Sequence, residues 1–132
     1  MWSIKGFFAV DELTAEKVML AAHTDGKRVF CFPSHIASKD QFFDGMRATF
    51  PLDPPLHGHH GWDALADSLW SGLDGLQEQD IVIVWRDSRY MQMQAVEDFA
   101  IALDILRDLP GTLADVALTA GKPKKLLVLQ VV

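Results

Sequence analysis

Five apolar residues in a row, Ile81–Trp85 (IVIVW), follow Asp80 without a polar interruption. A strand with one wet face alternates apolar and polar side chains. An unbroken run fits a strand covered on both faces, as strands of a parallel sheet are. Arg28–Phe32 (RVFCF) reads as another buried strand, ended by Pro33, and Leu126–Val132 (LLVLQVV) as a third. The segments between them repeat at helical spacing. Strands alternating with helices predict an α/β chain, here a small three-stranded parallel sheet packed with helices.

The helices carry recognisable ends. Ser38 and Gln41 have capping-box spacing, and Phe42, Phe43, Met46 and Phe50 then point inward as far as Pro51. Pro51–Gly61 holds three prolines and two glycines, so it is a shaped loop rather than a helix. Trp62–Leu76 sets Trp62, Leu65, Ala66, Leu69, Leu73 and Leu76 on one stripe. Met93–Leu109 repeats Val96, Phe99, Leu103 and Leu106 and is expected to end before Pro110-Gly111. Thr112–Ala120 is ambiguous, with room for a short turn of helix. At the start of the chain, Ser3–Val10 reads as a strand at a sheet edge and Thr14–Thr24 as a helix with Gly26 at its C-cap. A hairpin through Asp25-Gly26 is the alternative, but Ala, Glu, Lys, Met and Leu favour the helix.

At 132 residues with 49% apolar side chains, the chain reads as one domain, 1–132, with a sizeable core. The net charge of −6 argues against nucleic acid or an anionic membrane as the main partner and permits a basic one. Cys31 is the single cysteine, so no internal disulfide forms, and its setting (VFCFP) predicts an inert core thiol. No signal peptide and no membrane span is recognisable, so the expected setting is the cytoplasm.

Little in the chain demands catalysis. No nucleophile elbow, dinucleotide fingerprint or phosphate loop is present. His57, His59 and His60 crowd the loop before the central helix, but their spacing matches no zinc pattern, and adjacent His59 and His60 rarely face one ion. No metal and no cofactor is expected. The distinctive feature is a carboxylate row. Asp63, Asp67 and Asp74 fall on one flank of the Trp62–Leu76 helix, with Trp70 at the border of the apolar stripe. Asp63 suits the helix dipole as a first-turn acid, a use that does not extend to Asp67 or Asp74. Neighbours on one helix face do not bracket a scissile bond, so by spacing alone the row is a solvated face or a surface that can hold something basic, rather than a reacting pair.

Trp62-Asp63-Ala64-Leu65-Ala66-Asp67-Ser68-Leu69 is similar to the signature of the barstar family, the intracellular inhibitors of barnase-like ribonucleases. That signature is a proline, an aromatic-glycine turn, Asn-Trp (or Leu)-Asp-Ala-Leu, and then Asp-Cys-Leu. The strand Ile81–Trp85 with Arg86, the long helix and the terminal strand also resemble the family's order. The resemblance covers about Arg28 to the C-terminus, so 27–132 is the barstar-like core and 1–26 an added N-terminal strand and helix. Here Gly58 and His59 are swapped relative to the usual turn, Gly61 replaces the motif asparagine, and histidines replace the aromatics before the helix.

By position, the resemblance makes Asp67 the acid that enters a ribonuclease's basic cleft and Asp63 the interfacial acid one turn earlier. His57 stands at an interfacial aromatic and Trp62 at an apolar contact. Trp70 lies near the interface edge, and Glu97 near a further interfacial acid on the late helix. With His59 and Gly61 these form the expected partner-binding set. The implied function is a non-enzymatic inhibitor, of immunity or antitoxin type, whose acidic helix plugs a basic ribonuclease or toxin nuclease. It would contact no nucleic acid directly and would be a monomer when free. The alternatives are a barstar-fold interaction domain with an unrelated partner, or a metal-binding protein using the histidine loop.

Overall fold

The computed structural model describes residues 4–58 and 61–132. Its elements run β1 (Gly6–Val10), α1 (Glu12–Thr24), β2 (Arg28–Cys31), α2 (Lys39–Thr49), α3 (Trp62–Asp74), β3 (Asp80–Trp85), α4 (Arg89–Gln94), α5 (Val96–Leu113) and β4 (Lys125–Val131). The sheet is parallel throughout, in the order β1-β4-β3-β2. It therefore has four strands rather than three. The N-terminal strand joins the sheet by pairing with β4, Gly6 lying opposite Leu127 and Val10 opposite Val131.

The apolar runs of β3 and β4 are explained by two cores. Successive strand residues face opposite sides of a sheet. Ile81, Ile83, Trp85, Leu126 and Val128 enter the larger core with α2, α3 and α5. Val82, Val84, Leu127, Leu129 and Val131 enter a smaller one, closed by Ala15 and Ala22 of α1 with Val18 and Met19 beside them. Aromatic rings fill the larger core. Trp85 stacks on Phe32 at 4.9 Å between centroids and touches Phe42 and Phe99 at 5.4 and 5.6 Å.

The caps follow the sequence closely. Asp11 Oδ1 accepts from the Thr14 N–H at 2.8 Å at the start of α1. Gly26 has φ +74 and donates to His23 O while Lys27 donates to Ala22 O, a Schellman ending that excludes the hairpin. Ser38 Oγ accepts from the Gln41 N–H at 3.1 Å, and Gln41 Oε1 accepts from the Ala37 N–H at 2.7 Å. That box starts α2 where the spacing placed it.

Two further expectations fail for physical reasons. Cys31 is exposed, not buried. It ends an edge strand, on the face opposite its buried neighbour Phe30, where the sheet's edge leaves it open to solvent. The helix expected over Met93–Leu109 is two helices that break at Ala95 (φ −144, ψ 69). The second does not stop before Pro110. It runs through the proline to Leu113, because Leu109, Pro110 and Leu113 are all buried against the core. Burial there outweighs the lost N–H bond.

Leu69 is fully buried on α3 between Leu65 and Leu73. Leu69→Ala should lower unfolding free energy by about 2–5 kcal/mol in denaturant titration, since the cavity is walled by fixed helices. The Asp11 carboxyl is held below its usual value by the Thr14 hydroxyl and then the Thr14 N–H. A depressed folded pKa stabilises the protein above about pH 4, where the unfolded carboxyl is already charged, and the gain is lost as pH falls through the folded value. Stability measured against pH should therefore fall more steeply below pH of about 4 in the parent than in Asp11→Asn.

Candidate functional site

The loop before α3 is seated by a glycine that sequence reading passed over. A β-carbon on Gly72 would lie 1.4 Å from Pro51 O and 2.5 Å from Pro51 C, so only glycine lets the backbone cross α3 there. One turn earlier the buried Ser68 gives its carbonyl to the Asp53 N–H at 3.0 Å. Farther along, Arg47 Nη1 of α2 donates to Gly58 O at 2.8 Å. The loop is thus fixed at three points, and His57 on it is exposed.

Helix α3 begins without a side-chain cap: Gly61 occupies the N-cap, and its carbonyl accepts from Leu65 N at 2.8 Å. The apolar stripe faces the core as its spacing requires, with Leu65, Leu69 and Leu73 wholly buried. Trp62 is half-buried, packed edge-on against Phe43 at 5.1 Å and beside Phe42, with the Lys39 ammonium 5.5 Å above its ring. It serves the core more than the surface. Asp63 and Asp67 are exposed one turn apart, and among the described residues neither forms an ion pair.

Beside Asp67 lies an open groove of about 400 Å³ between α3 and the second half of α5. Ala66, Trp70, Ile105, Leu109 and Leu118 give it an apolar floor, and Asp67 and Asp108 contribute a carboxylate from each helix. Trp70 is pinned by a hydrogen bond from Nε1 to Thr112 Oγ1 at 3.0 Å, so its indole is a fixed wall. Asp108 is exposed and, like Asp67, has no ion-pair partner among the described residues. Its neighbour Arg107 is engaged elsewhere, 3.8 Å from Asp104 and stacked over Phe7 at 5.2 Å.

Helix α3 thus carries Asp63, Asp67 and Trp70 on one face, with Gly61 at its N-cap and His57 in the loop that precedes it. His59 lies outside the described residues, as does His60. Asp74 is half-buried and belongs to a different hollow at the far end of α3. Glu97 is not brought to the groove. It sits exposed in the first turn of α5, about 16 Å along the helix from Asp108 at 1.5 Å per residue. Asp108 and Thr112 are what sequence reading missed. Ile105, Asp108 and Leu109 lie within the expected helix, but spacing alone does not show that they face α3, and Thr112 lies beyond the expected stop at Pro110. Among the described residues no group of three or more His, Cys, Asp or Glu could hold a metal ion, and no helix is long and apolar enough to cross a membrane.

Residues 28–126 match the family described as Barstar (barnase inhibitor). The chain belongs to the barstar family. Comparison with curated proteins and with solved structures gave no match. The match covers β2 through the start of β4, so β1 and α1 precede it.

Gly72→Ala should force the Pro51 backbone off α3 and lower stability by about 1–3 kcal/mol. Gly111→Ala, where an added β-carbon meets nothing within 4 Å, should leave stability unchanged or raise it by up to about 1 kcal/mol through helix propensity. Paired thermal melts test the contrast.

Proposed function

We propose that this chain is a protein inhibitor of a barnase-like ribonuclease, and that the α3–α5 face closes the nuclease's active-site cleft. A ribonuclease must attract a polyanion, so its cleft is basic, and unpaired carboxylates on a rigid helix complement it. The observation that carries the reading is the pairing of Asp67 with Asp108 across the groove, with Asp63 one turn away on α3. Among the described residues these carboxylates have no ion-pair partner, so they remain available to the nuclease's cations. The groove floor suits the aliphatic stem of an arginine or lysine whose cationic head lies between Asp67 and Asp108. Trp70, Gly61 and His57 form the rim of the surface. No group on it is asked to react, which fits an inhibitor that works by occupying the cleft. Its immunity or antitoxin role and its cytoplasmic setting belong to the same proposal.

Inhibition of RNA cleavage by barnase-type ribonucleases, with binding kinetics for the pair that is inhibited, tests the reading. Asp67→Ala should keep the parent melting curve and weaken binding by about 2–5 kcal/mol, a range set by charge pairs of the barnase–barstar kind rather than by this structure. The loss should fall mainly on the off-rate. Asp108→Ala should also weaken binding, and Glu97→Ala should leave it near the parent. Parent-like inhibition by Asp67→Ala would reduce the carboxylate row to a solvated face.

A further inference from the structure

Although the chain is acidic, four of its seven lysines line a single hollow. Lys5, Lys122, Lys124 and Lys125 surround about 350 Å³ at the amino ends of β1, β3 and β4, with Gln79 and Asp80 on the same wall. A second hollow, of about 610 Å³, shares Gln79, Lys122 and Lys124 and reaches Asp74 at the end of α3. This end of α3 lies about 16 Å from Asp63 at 1.5 Å per residue, so it is separate from the acidic face.

Lys124 is the unusual member. It is only 4% exposed. Its ammonium donates to Leu76 O at 2.6 Å and Glu78 O at 3.0 Å, two neutral carbonyls just beyond α3. The C-terminal end of the helix dipole helps to hold the cation. Yet an ammonium has three protons to place, and no carboxylate among the described residues pairs with this one. A buried charge without a counter-charge is costly. Lys5, Lys122 and Lys125 are exposed around it and are likewise without an ion pair among the described residues. Asp80 and Asp74 offset only part of this positive charge, and a bound anion would offset the rest.

We infer that this hollow is an anion site whose ligand is a phosphate group. Ammonium groups bind phosphate as point charges and need no fixed fork geometry. Lys5, Lys122 and Lys125 contact the phosphate oxygens, and the buried Lys124 supplies a standing positive charge behind them. The space is several times that of a water molecule and admits a phosphate or a short polyphosphate.

Tripolyphosphate titrated into the full chain, against sodium chloride at matched ionic strength, tests the site by amide chemical shifts. Saturable one-to-one shifts are expected at residues 79–80 and 121–125. Lys122→Glu with Lys125→Glu should weaken the binding at least about tenfold without changing the melting curve in chloride. Lys124→Met should weaken it too, and because that variant also loses a buried contact, the two surface lysines carry the decision. Phosphatidylcholine vesicles with and without phosphatidylglycerol form a second arm. Lysine-dependent sedimentation with the anionic vesicles assigns the phosphate to a lipid headgroup, and tripolyphosphate binding without sedimentation assigns it to a soluble compound. Shifts that do not saturate, that lie elsewhere, or that persist in the double variant would overturn the site.

Discussion

A parallel sheet that is apolar on both faces must be covered on both faces, and that requirement organises this molecule. β3 and β4 present isoleucine, leucine and Trp85 to one side and valine and leucine to the other. The part of the chain that matches the barstar family supplies α2, α3 and α5 to the first side. The second side is closed by α1, whose Ala15 and Ala22 lie flat against Val82, Val84 and Leu129. The segment before the family match is therefore a structural layer of the domain. Arg86, at the carboxyl end of β3, reinforces the join through Glu16 at 2.5 Å and Glu12 at 3.5 Å on α1. These pairs are exposed and contribute little beside the burial they accompany.

Helix α3 carries two demands in one short element. Its leucines are wholly buried, while Asp63 and Asp67 stay exposed with no ion-pair partner among the described residues. Small residues on its third flank, Ser68 and Gly72, admit the Pro51 backbone and so fix the approach to the helix. The acidic face is thus presented on a backbone tied down from behind. Rigid presentation lowers the ordering cost of binding, which is how a modest surface achieves useful affinity.

Much of this was legible in the sequence, and the failures have identifiable causes. The continuous apolar runs announced a doubly covered parallel sheet. The leucine spacing set the phase of α3 and therefore the exposure of Asp63 and Asp67. The capping residues Ser38, Gln41 and Gly26 marked helix ends within a residue or two. The first strand was read as an edge strand but left out of the sheet, because Gly6–Val10 is short and its partner β4 lies at the other end of the chain. Cys31 was misplaced because apolar neighbours in sequence do not reveal which face of an edge strand is covered. Asp108 lies inside the expected helix and gave no signal, because a single exposed aspartate does not reveal which helix will stand across from it, whereas Thr112 fell beyond the expected stop that the burial of Pro110 and Leu113 moved onward. Gly72 gave no signal at all, since a close backbone approach is invisible until the second segment is placed.

The pairing of β1 with β4 joins residues more than a hundred positions apart, Gly6 against Leu127. Contacts of such sequence separation bear the largest loop-closure entropy and tend to be made after local ones. β1 and α1 complete the sheet and hide one of its apolar faces. A chain in which that layer came away would bare the valines and leucines of β3 and β4, a surface on which two such chains would stick.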